Sequence, residues 1–288
     1  MALNINIVQL SADLYQKGFF KNLKSVLDMG DQDINVNFEQ LKKNLFFLNL
    51  KNFDQYFEAA KFYPRRPRVS SSSFWKLLGF DKTDRLDIIK LDRAKNDPLD
   101  NFFKVDLNFP IEKQVEIAQY DLVTDFGNNE HPFDVVESYK SMHKICKKNG
   151  FLLIQQALIG GNGFYNFDIS FFENIAAVNN YSIVYSSLLF IKKNNFFSTP
   201  VDRSYYNMVN LNNIDGVEVV YIFKKNSDKQ FVYPYQGSGK SISNNEYYIN
   251  KFHTENLFPS RTYLPKSYND LSLKTLIKFL LGKFFNRK

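Results

Sequence analysis

The chain has 288 residues, of which 44% are hydrophobic and 17% aromatic, enough for one large domain or two small ones with a sizeable core. Its net charge is +7, and its one cysteine, Cys146, excludes an internal disulfide, while three histidines and one cysteine make a metal site unexpected. No apolar run is long enough to span a bilayer, and residues 1–10 lack the basic start of a signal peptide, so we expect a cytoplasmic protein.

Helices and short strands are predicted to alternate through the first part of the chain. A helix is expected around residues 8–20, and residues 24–30 are predicted to form a strand that runs into a turn. Further along, the pattern predicts helices over 38–48 and 53–62, a helix over 74–78 capped by Ser70–Ser73, strands over 85–89 and 103–108, and a helix near 112–118.

The stretch from Tyr120 to Gln156 is typical of a strand, a polar turn, a helix, a glycine stop and a second strand. Pro132 suits the first turn of a helix that extends to Lys148, and Asn149-Gly150 is suited to end it. The strand after it is expected over 151–154. The last predicted elements are a helix over 171–179 and strands over 181–190 and 217–223.

This alternation predicts an α/β fold, a Rossmann-like doubly wound sheet that is mostly parallel, with helices on both faces. Residues 1–237 are expected to form this domain, with a helical insertion over about 36–68 that explains the long separation of its first two strands. Residues 238–288 form a C-terminal extension, in which 273–285 carry the apolar stripe of an amphipathic helix. That helix is expected to dock on the chain itself or on a second subunit of a homodimer, with peripheral contact at an anionic membrane surface as the alternative.

Four successive predicted strands end in, or run directly into, an aspartate. The carboxyl ends of parallel strands meet at one edge of a sheet, where α/β folds bind ligands. An aspartate after the second strand can accept hydrogen bonds from both hydroxyls of a ribose, and the one after the third is placed to meet an adenine amino group. Aspartate is also common at the ends of strands and in turns, so the four aspartates together indicate a ligand site more strongly than any one of them. The strand-end residues are Asp28 with Gly30, Asp87, Asp106 with Leu107, and Asp125.

This set resembles that of the class I S-adenosylmethionine-dependent methyltransferases, whose first strand carries an E/D-x-G-x-x-x-G pattern. In this chain the pattern begins at Asp28, and Ile34 stands in place of the second glycine. The resemblance covers about residues 20–237, and it implies S-adenosyl-L-methionine as the cofactor and an antiparallel last strand over 217–223. It further implies that the cofactor is held by Asp28, Gly30, Asp87, Asp106 and Leu107, and that its methyl end is shaped by Asp125 and Gly127.

The segments KVDLNFPI, YDLVTDFGNNEHPFD and SMHKICKKNGFLLIQ are similar to those of a bacterial branch of that family found with surface-polysaccharide biosynthesis. That branch shows a G-T-x-E-H-type turn and a histidine in the following helix, which here correspond to Glu130, His131 and His143, with Asn128 in place of the threonine. Histidine has a suitable pKa for removing a proton from a sugar hydroxyl, so His131 is the expected catalytic base, with Glu130 orienting it or binding the acceptor. The alternatives are a His131 that only pairs with Glu130 and a His143 that either faces the same cleft or packs in the core.

Polar residues at and beyond the end of the fifth strand are candidates for binding the acceptor. The glycines of the segment 160–166 permit unusual backbone angles, which would place polar side chains at the same sheet edge. The alternative is a plain surface turn with a tyrosine as buttress. The candidates are Gln156, Asn162, Tyr165 and Asn166.

Together these features predict an enzyme, a methyltransferase that O-methylates a sugar or sugar nucleotide, with a small molecule or glycan as its acceptor. An N-methyltransferase acting on an amino sugar or small amine is the first alternative. A catalytically degenerate binding or scaffold protein of the same fold is the second, and the missing second glycine favours it. Nucleic acid is not an expected partner, because the positive charge lies largely near the C-terminus and in Arg65, Arg66 and Arg68, without a basic-aromatic reader motif.

Overall fold

The computed structural model describes residues 2–46, 53–54, 69–91, 101–192, 195–208 and 214–235. The strands are β1 Ala2–Leu3, β2 Ser25–Met29, β3 Asp33–Ile34, β4 Lys82–Asp87, β5 Phe102–Lys104, β6 Tyr120–Phe126, β7 Cys146–Ile159, β8 Tyr181–Lys192, β9 Asn195–Pro200 and β10 Gly216–Lys225. The helices are α1 Ile5–Gln16, α2 Phe38–Leu45, α3 Ser71–Leu77, α4 Val135–Ile145, α5 Ile169–Val178 and α6 Arg203–Met208, and Ile111–Lys113 form a short 3₁₀ helix.

Eight strands form one sheet in the order β5-β4-β2-β6-β7-β10-β8-β9. The strands from β5 to β7 are parallel to one another, while β10 lies antiparallel to both of its neighbours, β7 and β8. The predicted Rossmann-like sheet with an antiparallel last strand is therefore confirmed. The edge strand β9 and the short helix α6 after it were not predicted.

Helices cover both faces of the sheet, and successive residues of a strand pack alternately into the hydrophobic core on one face and the core on the other. In β10, Val220 and Ile222 pack with residues of α1, α2 and α3, whereas Val219 and Tyr221 pack with residues of α4 and α5. This two-residue alternation is what a pleated strand imposes. Burying a side chain as large as Phe172 contributes roughly 1.5–3 kcal/mol, so these two layers hold the sheet in place.

Polar residues at the helix starts explain where the helices begin. A side-chain oxygen before each of five helices accepts a hydrogen bond from a backbone N–H of the first turn, which satisfies a donor that the helix itself leaves unpaired. In α2 the arrangement is a capping box, because the Gln40 side chain also accepts from the backbone N–H of the cap residue. The five capping residues are Asn4, Asn37, Ser70, Asp134 and Asp168.

One predicted helix is wrong. Residues 112–118 form only the single turn Ile111–Lys113, followed by irregular chain. The reason is the Gln114 side chain, which accepts from the Asp106 N–H at 2.8 Å and donates to the carbonyl oxygens of Asp106 and Phe109 at 2.8 and 3.0 Å. These bonds tie the residue back to the preceding loop and compete with helix formation.

Other predictions differ from the structure at their boundaries or lie outside the described residues. The second strand of the parallel set ends at Asp87 rather than at residue 89, and β7 begins at Cys146, five residues earlier than predicted. Of the predicted helix over 53–62 only residues 53–54 are described, and most of the insertion over 36–68 and the whole extension over 238–288 lie outside the described ranges. Within those ranges no helix has the length and hydropathy needed to cross a membrane.

Candidate functional site

The predicted strand-end residues come together at one edge of the sheet. Because β4, β2, β6 and β7 run parallel and in register, Met29 lies opposite Leu86 on one side and Asp125 on the other. Asp125 in turn lies opposite Ile154 of β7. The loops that follow these strands therefore share one edge, as the order of the sheet requires. Asp87 ends β4 and Gln156 lies near the end of β7, while Gly30, Asp106 with Leu107, and Gly127 lie in the loops after β2, β5 and β6.

The turn after β2 is built around Gly30. Its φ is +96°, a left-handed conformation that favours glycine, and an added Cβ would lie 3.0 Å from Asn128 Oδ1 and 3.1 Å from Gln32 Nε2. The buried Gln32 closes the turn by donating from Nε2 to the Met29 carbonyl at 2.8 Å. Ile34, in place of the second glycine of the pattern, is a core residue of β3 opposite Leu3 of β1. Where the pattern has its second glycine, this chain thus has the short strand β3, and the buried side-chain amide of Gln32 lies just before it.

Asp28 lies beneath this turn rather than in the wall of the cleft. Its buried carboxylate accepts hydrogen bonds from Ser71 Oγ, from Thr124 Oγ1, and from Trp75 Nε1 at 3.0 Å. Burial raises the pKa of Asp28 to about 6, although these three donors oppose the shift. The structure thus places the Asp28 oxygens against α3 and β6, and direct contact of Asp28 with a cofactor stays a prediction.

Asp87 sits between the loops after β2 and β4. Its Oδ2 accepts from the Asp31 N–H at 2.8 Å, and its Oδ1 accepts from the N–H of Ile88 at 2.7 Å. A buried ion pair between Asp31 and Arg85, at 3.0 Å, also ties the loop after β2 to β4 itself. Ile88 and Ile89 directly follow and are 51% and 65% exposed. The end of β4 thus presents a carboxylate beside two exposed apolar side chains of the following loop.

The loop after β5 is held by its own polar residues. Asp106 Oδ1 accepts from the backbone and the side-chain N–H of Asn108, at 2.9 and 2.8 Å. Asn108 Oδ1 accepts from the Asp134 N–H at 2.9 Å and so links this loop to the start of α4. The Leu107 side chain is buried in the core, which leaves its main chain as the part that a ligand can meet.

Asp125 is buried at the end of β6. Its Oδ1 accepts from the backbone N–H groups of Asn128 and Asn129, at 2.9 and 3.2 Å, and its Oδ2 accepts from Gln156 Nε2 at 2.6 Å. Burial raises the pKa of Asp125 to about 7, and the nearby Glu130 carboxylate adds to the shift. Asp125 therefore shapes the turn that carries Gly127 and orients Gln156.

Glu130 and His131 follow this turn and differ in exposure. The Glu130 side chain is almost fully buried against the glycine-rich segment after β7, where a Cβ on Gly163 would lie 2.4 Å from the Glu130 carbonyl oxygen. Burial raises the pKa of Glu130, although the His131 charge and backbone N–H groups oppose the rise. His131 Nε2 lies 3.6 Å from Glu130 Oε1, and its side chain is 37% exposed. The histidine therefore stands beside a buried acid and is open to a ligand from outside.

His143 does not join the site, and its assignment as a catalytic candidate is corrected. It lies near the end of α4, at the opposite edge of the sheet, buried against the first residue of β8 and the end of β10. One ring nitrogen pairs with the Tyr181 hydroxyl, and Nε2 lies 2.9 Å from the Lys229 carbonyl. Burial and the neighbouring Lys225 lower the pKa of His143, which favours a neutral core histidine.

A cavity of about 440 Å³ lies beside this edge, between the start of the chain, the ends of β6 and β7, and the beginning of β10. Its lining includes Glu218, a residue that the pattern of the sequence did not single out. Gln155 Nε2 donates to Glu218 Oε2, while burial and the nearby Glu130 carboxylate raise the pKa of Glu218. The available signal was one charged residue within the apolar strand GVEVVYIF.

The four acceptor-binding candidates divide into two pairs. Gln156 and Asn162 line the cavity. Tyr165 and Asn166 instead hold the loop: the Tyr165 hydroxyl donates to the Phe133 carbonyl at 2.6 Å, and Asn166 Oδ1 accepts from the Gly161 N–H at 3.1 Å. For Tyr165 the structure matches the tyrosine buttress that was the alternative. Among the described residues, no group of three or more His, Cys, Asp and Glu side chains is arranged to hold a metal.

No protein-family model matches the chain, and no curated protein matches it. Solved structures that resemble it include the 1,6-didemethyltoxoflavin-N1-methyltransferase of Burkholderia thailandensis (10% identity, 76% of this chain and 79% of that one, TM-score 0.42). Also similar is a SAM-dependent methyltransferase of Archaeoglobus fulgidus (14% identity, 77% of this chain and 94% of that one, TM-score 0.40). A further similar structure is a putative methyltransferase of Bacillus halodurans (12% identity, 75% of this chain and 100% of that one, TM-score 0.42). At these identities and TM-scores, the substrates of those proteins indicate nothing about the ligand of this chain.

Proposed function

We propose that the chain is an S-adenosylmethionine-dependent methyltransferase. The observation that carries the proposal is the convergence of a left-handed glycine turn and strand-end acids beside a separate cavity, on a sheet whose last strand is antiparallel. A nucleoside cofactor and an acceptor both need a place at such an edge; we assign the cofactor to the loops around Gly30 and Asp87 and the acceptor to the cavity.

The residues at the Gly30 turn fit the amino-acid end of this cofactor. Asn128 Nδ2 and Gln32 Oε1 are buried atoms with no hydrogen-bond partner among the described residues, and both side chains adjoin Gly30. One is a donor and the other an acceptor, which matches a ligand end that carries both a carboxylate and an ammonium group. A buried polar atom without a partner costs free energy, so a ligand that pairs both atoms would be stabilised here.

The rest of the cofactor would meet the loops after β4 and β5. Asp87 would accept from the ribose hydroxyls, and the exposed Ile88 and Ile89 would pack on the base, with Asp106 and the Leu107 main chain beyond them. When bound, S-adenosylmethionine supplies a methyl group that is already activated by a sulfonium. The contribution of the protein is then mainly to bring an acceptor into line and to manage its proton.

We infer that the acceptor is a sugar or sugar nucleotide hydroxyl in surface-polysaccharide biosynthesis, as the resemblance to that branch implies. His131 would take the proton from this hydroxyl, and Glu130, 3.6 Å away, would hold the resulting imidazolium. Gln156 and Asn162 would bind neighbouring polar groups of the acceptor from the cavity wall. A second candidate is N-methylation of an amino sugar or small amine, which the acidic side chains of the cavity would bind in its protonated form and from which His131 would take a proton before the neutral amine attacks.

Methyl transfer from labelled S-adenosylmethionine to a panel of sugars, sugar nucleotides and amino sugars tests the proposal. His131→Ala is expected to lower kcat by about 100-fold or more, the usual contribution of a general base. Lys144→Ala, an exposed change at the far end of α4, serves as the control and should leave kcat unchanged. Full activity of the His131 variant would reject the base, and absence of transfer to every acceptor together with absence of cofactor binding would reject the methyltransferase.

A further inference from the structure

The cavity beside the strand ends is acidic, although the chain as a whole carries a charge of +7. The charged side chains in its described lining are Glu130, Asp215 and Glu218, and no lysine or arginine lies among them. Glu130 and Glu218 are close enough for one carboxylate to raise the pKa of the other. Two such acids in one cavity disfavour each other's charge, and a cation placed between them would relieve the repulsion.

A second, independent feature is an unpaired acceptor atom in the same cavity wall. The Gln155 side chain is only 4% exposed, and it donates from Nε2 to the Glu218 carboxylate. That bond leaves Gln155 Oε1 without a partner within the described part of the chain. Buried acceptors of this kind are nearly always paired, so the wall is short of donors.

We propose that this cavity recognises its ligand through a protonated amino group, with Glu218 as the counter-charge and Gln155 Oε1 as a further acceptor. An ammonium group supplies three donors and a positive charge, whereas a hydroxyl supplies one donor and no charge. The Glu218 carboxylate and the Gln155 side chain lie on the same face of the sheet, so one ammonium group can bind both. The proposal rests on the proposed function in taking the cavity as the acceptor site, and it makes the acceptor an amino sugar or another small polar amine.

Matched probes separate the charge from the rest of the ligand. Glucosamine is compared with glucose, and ethanolamine with ethylene glycol, by following the side-chain amide resonances of Gln155 in a titration of the full chain at pH 7. We expect at least one amine to bind about tenfold or more tightly than its neutral counterpart, which is the value of one charge-assisted hydrogen bond. Equal shifts for the amine and the neutral compound in both pairs would overturn the proposal.

Glu218→Gln removes the charge with little change of shape and should abolish the preference for the amine. Glu116→Gln, an exposed acid away from the cavity, makes the same change of net charge and should leave the preference intact. A preserved preference in the Glu218 variant would also overturn the proposal, and if that variant does not fold, the wild-type comparison decides alone. A parallel titration with S-adenosylhomocysteine keeps the two claims apart, because loss of that binding counts against the methyltransferase and loss of the amine preference counts only against this site.

Discussion

Replacing Asp125 by asparagine should stabilise the protein at alkaline pH. The carboxyl is fully buried, and its pKa is raised from 3.8 to about 7, mainly by burial. A group whose pKa is raised on folding contributes stability below its unfolded pKa, and that contribution is lost as the pH rises through the folded pKa. The difference between the unfolded and folded pKa values corresponds to roughly 4 kcal/mol of folding stability, which is lost between about pH 4 and pH 8.

Asparagine imitates the neutral carboxyl at every pH. The oxygen of the new asparagine can keep the bonds from the backbone N–H groups of Asn128 and Asn129. If the side-chain amide of Gln156 rotates by 180°, the new NH₂ group can donate to Gln156 Oε1, which has no partner among the described residues. The variant should therefore match the wild type near pH 4 and gain on it steadily toward pH 8. Asp28, whose pKa is raised to about 6, remains and leaves a residual slope of the same sign in both proteins.

Urea denaturation at several pH values, followed by circular dichroism, measures this difference in the free energy of unfolding. Asp121→Asn is the matched control on the same strand. Burial alone would raise the pKa of Asp121, but the hydrogen bonds from Lys147, Lys24 and Ser25 together lower it. Asp121→Asn should therefore destabilise the protein at pH 8, and its effect should shrink as the pH falls below about 4. Equal pH slopes for wild type and Asp125→Asn, or a loss at pH 8 like that of the control, would refute the reasoning.

Three further changes test the framework of the site, each by its effect on the free energy of unfolding. Trp75→Phe removes a buried donor, 3.0 Å from Asp28, and should cost about 1–3 kcal/mol; no loss would mean that the bond is dispensable. Gly163→Ala places a Cβ against the backbone of Glu130. It should cost well over the roughly 1 kcal/mol of backbone strain expected for the control Gly79→Ala, where the space around the added Cβ is open. Equal losses of stability in the two variants would contradict the close contact at Gly163. Lys225→Met leaves two carbonyls at the end of α4 without their donor and should cost roughly 3 kcal/mol, while leaving binding of S-adenosylhomocysteine unchanged.

The strand-end residues could be predicted because their signal is local. Asp87 and Asp125 each lie at or next to the end of a strand, and parallel strands bring such ends to one edge whatever the loops between them contain. The fold followed from the same alternation. Gln114 shows the limit of this reasoning, because a side chain bonded back to its own loop overrode a helical pattern.

Contacts that depend on distant segments could not be predicted in this way. Asp28 has the position of a ligand-binding acid, yet Trp75 and Thr124 bury it, and neither is near it in sequence. Glu218 reaches the cavity only because β10 is inserted between β7 and β8, which places it opposite Ala157. His143 illustrates the reverse, since the helical pattern left its direction open and the pairing with Tyr181 decided it.

The central claim is that the edge formed by Gly30, Asp87 and Asp125 binds S-adenosylmethionine. Isothermal titration calorimetry of the full chain with S-adenosylhomocysteine tests it most directly. We predict saturable binding of one molecule per chain, weakened about tenfold or more by Asp87→Asn and unchanged by Asp81→Ala, an exposed acid just before β4. An absence of binding at high micromolar concentration, or equal binding by the Asp87 variant, would contradict the claim.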